Sequence, residues 1–165
     1  MDISVRKMTK RDVPFFNEVR NTYAEEFLHD SRTFTFNEAH KWFVTTNPTY
    51  QIIYYDKKRA GYVNIENYSN SNKNVKIGVR VDPTHIGTGL NKSVIEMMLS
   101  IFFNDYEMHK IVVELMETDE LSIELYKLLG FTVDGTKRDE VFKNGQWVNS
   151  VIMSILITDY NKIKK

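Results

Sequence analysis

The sequence predicts an α/β fold in which a mixed, mostly antiparallel sheet of about seven strands is flanked by about four helices. Between residues 77 and 103 apolar residues first alternate as in a strand, and after two glycines they recur at helical spacing. Strand-like runs separated by short turns come before and after this unit. This order of elements is typical of antiparallel strands joined to a parallel strand–helix–strand crossover.

Length and composition predict a single domain and a soluble protein. The chain has 165 residues, 42% of them hydrophobic, so we expect a single domain over residues 1–165. Its 22 basic and 22 acidic residues cancel, and we expect neither a nucleic-acid nor a membrane partner. The lack of cysteine excludes disulfides, thiolate metal sites and a cysteine acyl-enzyme. With no metal cofactor and no apolar leader or membrane span expected, the predicted location is the cytoplasm.

The N-terminal half begins with a strand and two helices. Ile3 and Val5 predict the strand, and Thr9 with Asp12 predicts the capped start of the first helix. Thr35 with Glu38 predicts a second capping box before a short helix. The apolar face of the first helix comprises Phe15, Phe16, Val19, Tyr23 and Phe27.

Three consecutive strands are expected next. Residues 51–55 and 61–68 predict a hairpin with a charged tip at 56–59, and residues 74–81 predict the third strand. Asp82-Pro83 ends that strand, and a helix is expected from Gly87 to about Asn104. A strand, a glycine-bearing turn and a helix start together form an anion site, because the first helical N–H groups lack internal acceptors.

The C-terminal third repeats the strand and helix order. Residues 110–115 predict a strand parallel to 74–81, followed by a helix that is capped by Thr118 or Asp119 and ends at Gly130. Short strands are expected at 131–133 and 139–142 and a longer one at 147–157, with Asn144-Gly145 as a two-residue hairpin turn. The lysine-rich C-terminus is expected to be a frayed end.

The glycine turn does not match the common nucleotide motifs. The pattern G-x-G-x-x-G would need glycine where the chain has Lys92, and the loop GxxxxGK[ST] is absent. The letters Ile86-Gly87-Thr88-Gly89-Leu90-Asn91 instead resemble the acyl-CoA loop of the GNAT N-acetyltransferases, whose pattern is Q/R-x-x-G-x-G/A. Ile86 and Asn91 depart from that pattern.

A second segment strengthens this resemblance. The GNAT pattern of a polar residue, a small residue, Leu-Tyr and Leu-Gly-Phe is similar to Asp119, Ser122, Leu125-Tyr126 and Leu129-Gly130-Phe131. Asp119 stands where the family usually has asparagine. The two segments cover about a third of the chain, and the similar order of elements extends over nearly all of it. On these motifs the chain is identified as a member of the GNAT superfamily.

The resemblance implies acetyl-CoA as co-substrate and a splayed strand pair that receives it. Backbone groups of Val79 and Val81 would hold the pantetheine arm and polarise the thioester carbonyl. Main-chain amides of the loop would hold the pyrophosphate. The implied cofactor-binding residues are Val79, Val81, Ile86, Gly87, Thr88, Gly89, Leu90, Asn91, Asp119 and Ser122.

The resemblance also assigns catalytic roles. Tyr126 is the expected general acid, because the family places a tyrosine at this point near the departing sulfur. Glu66 is the first candidate for the general base and His85 the second, either acting directly or through water. Without a cysteine, direct transfer in a ternary complex is favoured over a covalent acyl-enzyme.

The acceptor is expected to be a primary amine of a small molecule. In GNAT folds the first two helices overhang the acceptor, so Arg20, Asn21, Arg32 and His40 are candidate substrate contacts. This region looks like that of members that acetylate nucleotide-linked amino sugars, and the chain as a whole resembles most the members that act on ribosomal-protein alanine termini or on such sugars. The alternatives are a protein N-terminal acetyltransferase, a non-catalytic acyl-CoA-sensing module and an unrelated nucleotide-binding domain. An edge strand near the C-terminus could pair two chains as a homodimer.

Overall fold

The fold described here comes from a computed structural model, which describes residues 2–24 and 28–164. Seven strands form one mixed sheet in the order β1-β2-β3-β4-β5-β7-β6. The strands are β1 (Ile3–Lys7), β2 (Tyr50–Tyr55), β3 (Lys58–Ser69), β4 (Asn74–Val81), β5 (Lys110–Met116), β6 (Thr132–Lys143) and β7 (Gln146–Leu156). The pair β4 and β5 is parallel, whereas β1–β2, β2–β3, β5–β7 and β6–β7 are antiparallel. The predicted fold class is confirmed.

Five helices accompany the sheet in the described chain. They are α1 (Val13–Ala24), α2 (Phe36–Thr46), α3 (Leu90–Ser100), α4 (Glu120–Leu128) and α5 (Ile157–Ile163). A tighter turn, Lys10–Asp12, precedes α1, and a π-helical turn, Ile101–Asp105, extends α3. None of these helices is long and apolar enough to cross a membrane.

Several local predictions need correction. The expected frayed end at Lys162, Lys164 and Lys165 overlaps α5, which continues to Ile163. A helix of seven residues is too short for its periodicity to stand out in the sequence. The two short strands expected at 131–133 and 139–142 are parts of one strand, β6, whose pairing with β7 is irregular near Gly135 and again between Lys137 and Val141. The charged tip expected at 56–59 is a shorter turn of Asp56 and Lys57, both of which have a positive φ. Phe27 lies outside the described residues.

The described chain divides into two compact units. The first comprises Met1–Ile65 and Gly78–Ile95, and the second comprises Glu66–Ile77 and Glu96–Lys165. In the first unit an aromatic core forms around Phe16, which stacks on Trp42 at 5.2 Å and meets the Tyr62 ring edge-on at 4.8 Å. These rings join α1 and α2 to strand β3.

The core of the second unit lies on the inner face of β5 and β7. Ile111 is paired with Ile155 and Val113 with Met153 in the antiparallel ladder, and all four side chains are buried. The alternate residues of β5, among them Glu114, face the opposite side of the sheet. This alternation places charged side chains next to one another across neighbouring strands.

Candidate active site

The predicted anion loop connects β4 to α3. The Asp82 carboxylate accepts hydrogen bonds from the backbone N–H and hydroxyl of Thr84, at 2.9 and 2.6 Å, which fixes the turn at Pro83–His85. Gly87 and Gly89 follow with φ angles of 79° and 81°, in the left-handed region. A Cβ atom built on either glycine would have no neighbouring atom within 4 Å, so the loop faces open space.

The loop leaves main-chain donors available at the start of α3. Thr88 donates through its hydroxyl to the His85 carbonyl at 2.7 Å and accepts from the Leu90 N–H at 3.3 Å. The N–H groups of Gly87, Gly89 and Asn91 donate to no acceptor within residues 2–24 and 28–164. The Asn91 side-chain oxygen is buried there without a partner. Three free amides at the N-terminus of an 11-residue helix form a site suited to a phosphate.

In strand β4 the side chains of Val79 and Val81 are buried, and both backbone carbonyls already accept hydrogen bonds from protein side chains. Val79 and Val81 are buried, so their side chains pack into the core. The Val81 carbonyl accepts from the Tyr23 hydroxyl at 2.8 Å, and the Val79 carbonyl accepts from the Arg80 guanidinium at the same distance. The parallel ladder between β4 and β5 covers Asn74 to Lys76 and ends with the pair Lys76–Val112.

Helix α4 carries the second predicted motif. The Asp119 carboxylate accepts from the Ser122 N–H at 3.2 Å, so it caps the helix, as the sequence predicted. Tyr126 is only 3% exposed and meets the Phe131 ring edge-on at 5.0 Å. Gly130 has a φ of 89°, and the Phe131 N–H donates a hydrogen bond back to the Tyr126 carbonyl. The motif thus holds the buried tyrosine at the C-terminal end of α4.

The two candidate bases have different surroundings. The Glu66 carboxylate lies 3.2 Å from the Lys76 ammonium, near the start of β4. His85 comes after the end of β4, and its ring meets Tyr55 edge-on at 5.5 Å. Glu66 therefore belongs to a charged cluster, whereas His85 packs against an aromatic ring.

Two of the predicted acceptor contacts, Arg20 and Asn21, hold the chain before α2. Arg20 is buried, donates to the Arg32 carbonyl at 2.6 Å and lies over the Phe34 ring at 3.9 Å. The Asn21 side chain donates to the Phe34 carbonyl at 2.8 Å and accepts from the Phe34 N–H at 2.9 Å. Both residues thus have a structural task that the sequence did not reveal.

The other two acceptor candidates face different neighbours. The Arg32 guanidinium is paired with Asp30 at 2.8 Å, and its hydrogen bond lowers the pKa of Asp30 to about 2. His40 contacts the Phe36 ring, and its Nδ1 is buried without a partner in the described chain. The acceptor role of all four residues remains a prediction.

Sequence reasoning missed the charged cluster on β4, β5, β6 and β7. Lys76 reaches Glu114 at 2.8 Å, and Glu114 also accepts from Lys137 and Ser150 at 2.8 and 3.1 Å. Burial opposes ionisation of Glu114, but the hydrogen bonds from Lys137 and Lys76 outweigh it and lower its pKa to about 2. Burial of Lys76 likewise opposes its charge, yet Glu114 and Glu66 keep its pKa above the usual value.

One signal for this cluster was present in the sequence. Lys76 and Glu114 are polar positions inside otherwise apolar strands, which indicates a shared outer face, but the strand register that joins them was not predictable. Across residues 2–24 and 28–164 no group of three His, Asp or Glu side chains is arranged to hold a metal ion.

Comparisons with known proteins cover almost the whole chain. The family model of the acetyltransferase (GNAT) domain matches residues 5–152. A spermidine N(1)-acetyltransferase of Escherichia coli strain K12 is 21% identical over 169 residues, which cover 96% of this chain and 88% of that protein. A spermidine N(1)-acetyltransferase of Vibrio cholerae is 23% identical over 164 residues, covering 96% and 95%.

Solved structures share the fold. A Vibrio cholerae spermidine N-acetyltransferase in complex with CoA and spermine superposes with a TM-score of 0.86 at 19% identity, covering 96% of this chain and 98% of that one. A putative acetyltransferase from Salmonella typhimurium with acetyl-CoA gives a TM-score of 0.76, also at 19% identity, covering 95% of each chain.

Proposed function

Since this chain belongs to the GNAT acetyltransferase family, whose model matches residues 5–152, we propose that the amine it acetylates is a polyamine such as spermidine. The chain is an N-acetyltransferase that takes the acetyl group from acetyl-CoA. The polyamine acceptor is supported by one observation above the others. The Escherichia coli and Vibrio cholerae relatives, which align with 96% of the chain, are both named for spermidine.

This acceptor replaces the nucleotide-linked amino sugar expected from the first two helices. Arg20 and Asn21, on which that expectation partly rested, hold the main chain of residues 30–34. Their side chains are therefore less available for recognising a nucleotide. The relatives described above offer no support for an amino-sugar nucleotide either.

The described residues fit acetyl-CoA. The free amides of Gly87, Gly89 and Asn91 would hold its pyrophosphate, and the open space beside both glycines lets a phosphate approach the backbone. This main-chain recognition explains why Ile86, 66% exposed, can replace the polar residue of the family pattern. The backbone of β4 beyond Lys76 would then run beside the pantetheine arm.

The proposed chemistry is a direct transfer. The amine nitrogen attacks the thioester carbonyl carbon, the carbon–sulfur bond breaks, and CoA leaves as a thiolate. Glu66 accepts the proton that the amine loses, directly or through water, and Tyr126 supplies a proton to the sulfur. Main-chain N–H groups of β4 would stabilise the oxyanion.

A thiol-release assay with an amine panel tests the acceptor. The panel contains spermidine, spermine, an amino-sugar nucleotide and a peptide with a free N-terminal alanine, each with acetyl-CoA. We expect saturable thiol release with the two polyamines and little with the others. A preference for the nucleotide or the peptide would overturn the polyamine acceptor, and acetyl-CoA binding without release for any amine would favour a sensing module.

The choice of base is tested by a pair of variants. Glu66→Gln keeps the size of the side chain but removes the proton acceptor, so we expect kcat to fall by roughly 100-fold. His85→Gln should cost much less, because the His85 ring packs against Tyr55. The reverse order of losses in kcat would assign the base to His85.

A further inference from the structure

The end of strand β4 is held closely against β3. The Asp82 N–H donates to the Ala60 carbonyl on β3 at 2.7 Å. A Cβ atom built on Gly61 would collide with the Arg80 carbonyl and lie 2.7 Å from the Val81 Cα, so the two backbones touch. The Val81 carbonyl belongs to the same trans peptide as the Asp82 N–H, and the two groups of such a peptide point in opposite directions. The Val81 carbonyl therefore points away from β3.

Side-chain donors occupy the carbonyls at this edge of β4. The Tyr23 hydroxyl, on α1, donates to the Val81 carbonyl at 2.8 Å. The Arg80 guanidinium donates to the Val79 carbonyl at the same distance. Both acceptors at the end of the strand are therefore hydrogen-bonded by side chains.

This arrangement changes what the edge of the strand can bind. An ordinary strand edge presents N–H donors and C=O acceptors together, and a bare carbonyl oxygen repels any nearby oxygen that gains negative charge. In acetyl transfer the thioester oxygen gains such a charge as the amine attacks. Once the carbonyls of Val79 and Val81 are occupied, the N–H groups are what this edge offers to an incoming oxygen.

We infer that Tyr23 is a positioning residue for acetyl transfer, whose hydroxyl occupies the Val81 carbonyl and so keeps the end of β4 a donor edge for the thioester oxygen. This role rests on the proposed function, which places the oxyanion at the main-chain N–H groups of β4. Tyr23, the end of β4 and the anion loop all belong to the first compact unit. The Tyr23 ring packs against the apolar cluster around Phe16, which holds its hydroxyl in place.

Tyr54 provides a matched control in the same core. It is half-buried like Tyr23 and packs against the same cluster around Phe16. Its hydroxyl accepts from the Arg6 guanidinium at 2.7 Å, on the side of β1, which two strands separate from β4. Phenylalanine at either position keeps the ring and removes one hydrogen-bonded hydroxyl. A general loss of packing or stability would therefore affect both variants alike.

The first experiment compares kcat and the calorimetric affinity for CoA in the two variants, with thermal unfolding as the check on folding. We expect Tyr23→Phe to lower kcat by roughly 10-fold, less than the loss of an oxyanion donor itself would cost. Its affinity for CoA should not change, because CoA has no thioester oxygen. Tyr54→Phe should stay within about 2-fold of the wild type in both quantities.

Three results of this experiment would overturn the inference. One is a normal kcat in Tyr23→Phe, and another is an equal loss of kcat in Tyr54→Phe. The third is tighter binding of CoA by Tyr23→Phe, since the hydroxyl would then compete with the ligand for the Val81 carbonyl.

The second experiment needs no amine. Infrared difference spectra of acetyl-CoA, isotope-labelled at the thioester carbonyl carbon, compare the C=O stretching frequency of the bound and the free ligand. Donors that polarise the carbonyl lower this frequency, so we expect the same lowering in the wild type and Tyr54→Phe, and roughly half of it in Tyr23→Phe. An equal lowering in all three proteins would overturn the inference and leave the proposed function standing. No lowering in the wild type would instead overturn the oxyanion site of the proposed function, and the role of Tyr23 with it.

Discussion

At the scale of single residues, Gly89 and Gly145 allow a controlled test of the anion loop. Their φ angles are 81° and 77°, and neither has an atom within 4 Å of an added Cβ. Valine at either position should cost about 1–2 kcal/mol of folding stability, because the left-handed conformation is unfavourable for a branched residue. Only Gly89→Val should also lose acetyl-CoA affinity, by at least about 10-fold, since its side chain occupies the space of the phosphate.

Calorimetric titration with acetyl-CoA measures the affinity of the two variants and so tests this prediction. Equal affinity in Gly89→Val and Gly145→Val would place the pyrophosphate elsewhere. Equal loss in both would attribute the effect to destabilisation rather than to the loop.

Tyr126 and Tyr160 form a second matched pair. Both are buried, and the Tyr160 hydroxyl has no partner in the described chain. Because Tyr126 is the proposed general acid, Tyr126→Phe should lower kcat by roughly 100-fold and leave the affinity for acetyl-CoA unchanged. Tyr160→Phe removes an unsatisfied hydroxyl and should leave kcat unchanged and stability equal or slightly higher. Steady-state kinetics that give Tyr126→Phe a normal kcat would exclude the acid role.

At the scale of elements, the turn between β1 and α1 is held by Asp12. Arg6 donates two hydrogen bonds of 2.8 Å to its carboxylate, and Thr9 adds its N–H and hydroxyl. Burial opposes ionisation of Asp12, but these hydrogen bonds outweigh it and lower its pKa to about 2. The ionised carboxylate therefore stabilises the folded state at neutral pH.

The depressed pKa of Asp12 predicts an acid dependence of stability. Its contribution, roughly 2 kcal/mol, is complete above the unfolded pKa of about 4 and is lost as the pH falls through the folded value near 2. Asp12→Asn should therefore destabilise the protein at pH 6 but lose less stability than the wild type between pH 4 and pH 2. The free energy of unfolding in urea, measured for both proteins across this pH range, tests the prediction. The same dependence on pH in the two proteins would contradict it.

Local sequence predicted the elements whose signals are short-range. The glycines of the anion loop, the Thr35–Glu38 capping box and the Asn144-Gly145 turn each depend on neighbouring residues, and the structure has all three. The sequence predicts two short strands in place of β6, because polar residues interrupt its alternation of apolar side chains. The contact between Lys76 and Glu114 depends on the register of two strands 38 residues apart, which no local pattern encodes.

At the scale of the whole molecule, three elements run from one compact unit into the other. Strands β3 and β4 and helix α3 each contain residues of both units. A boundary that falls within regular elements, rather than in linkers, favours one domain over residues 1–165. We therefore expect a single cooperative unfolding transition.

The two units offer separate reporters for this expectation. In a Trp147→Phe variant the remaining tryptophan, Trp42, packs on Phe16 and reports the first unit by fluorescence. Amide exchange of the β5 and β7 ladder reports the second unit. Coincident denaturant midpoints would support one domain, whereas separate midpoints would show two independently unfolding parts. Sedimentation of the same preparation tests the homodimer suggested by the edge strand β6.

The bonds between α1 and the segment before α2 have a consequence for how this enzyme can diversify. Arg20 and Asn21 bind carbonyl and amide groups of Asp30, Arg32 and Phe34. A path that is held by its main chain leaves most of its side chains free to be exchanged. The side chains of residues 31–33 can therefore be substituted, in evolution or in a randomised library, while the backbone of this segment keeps its position beside α1. If Arg32 contacts the acceptor, as the sequence predicts, acceptor preference would change with these side chains while the fold stays the same.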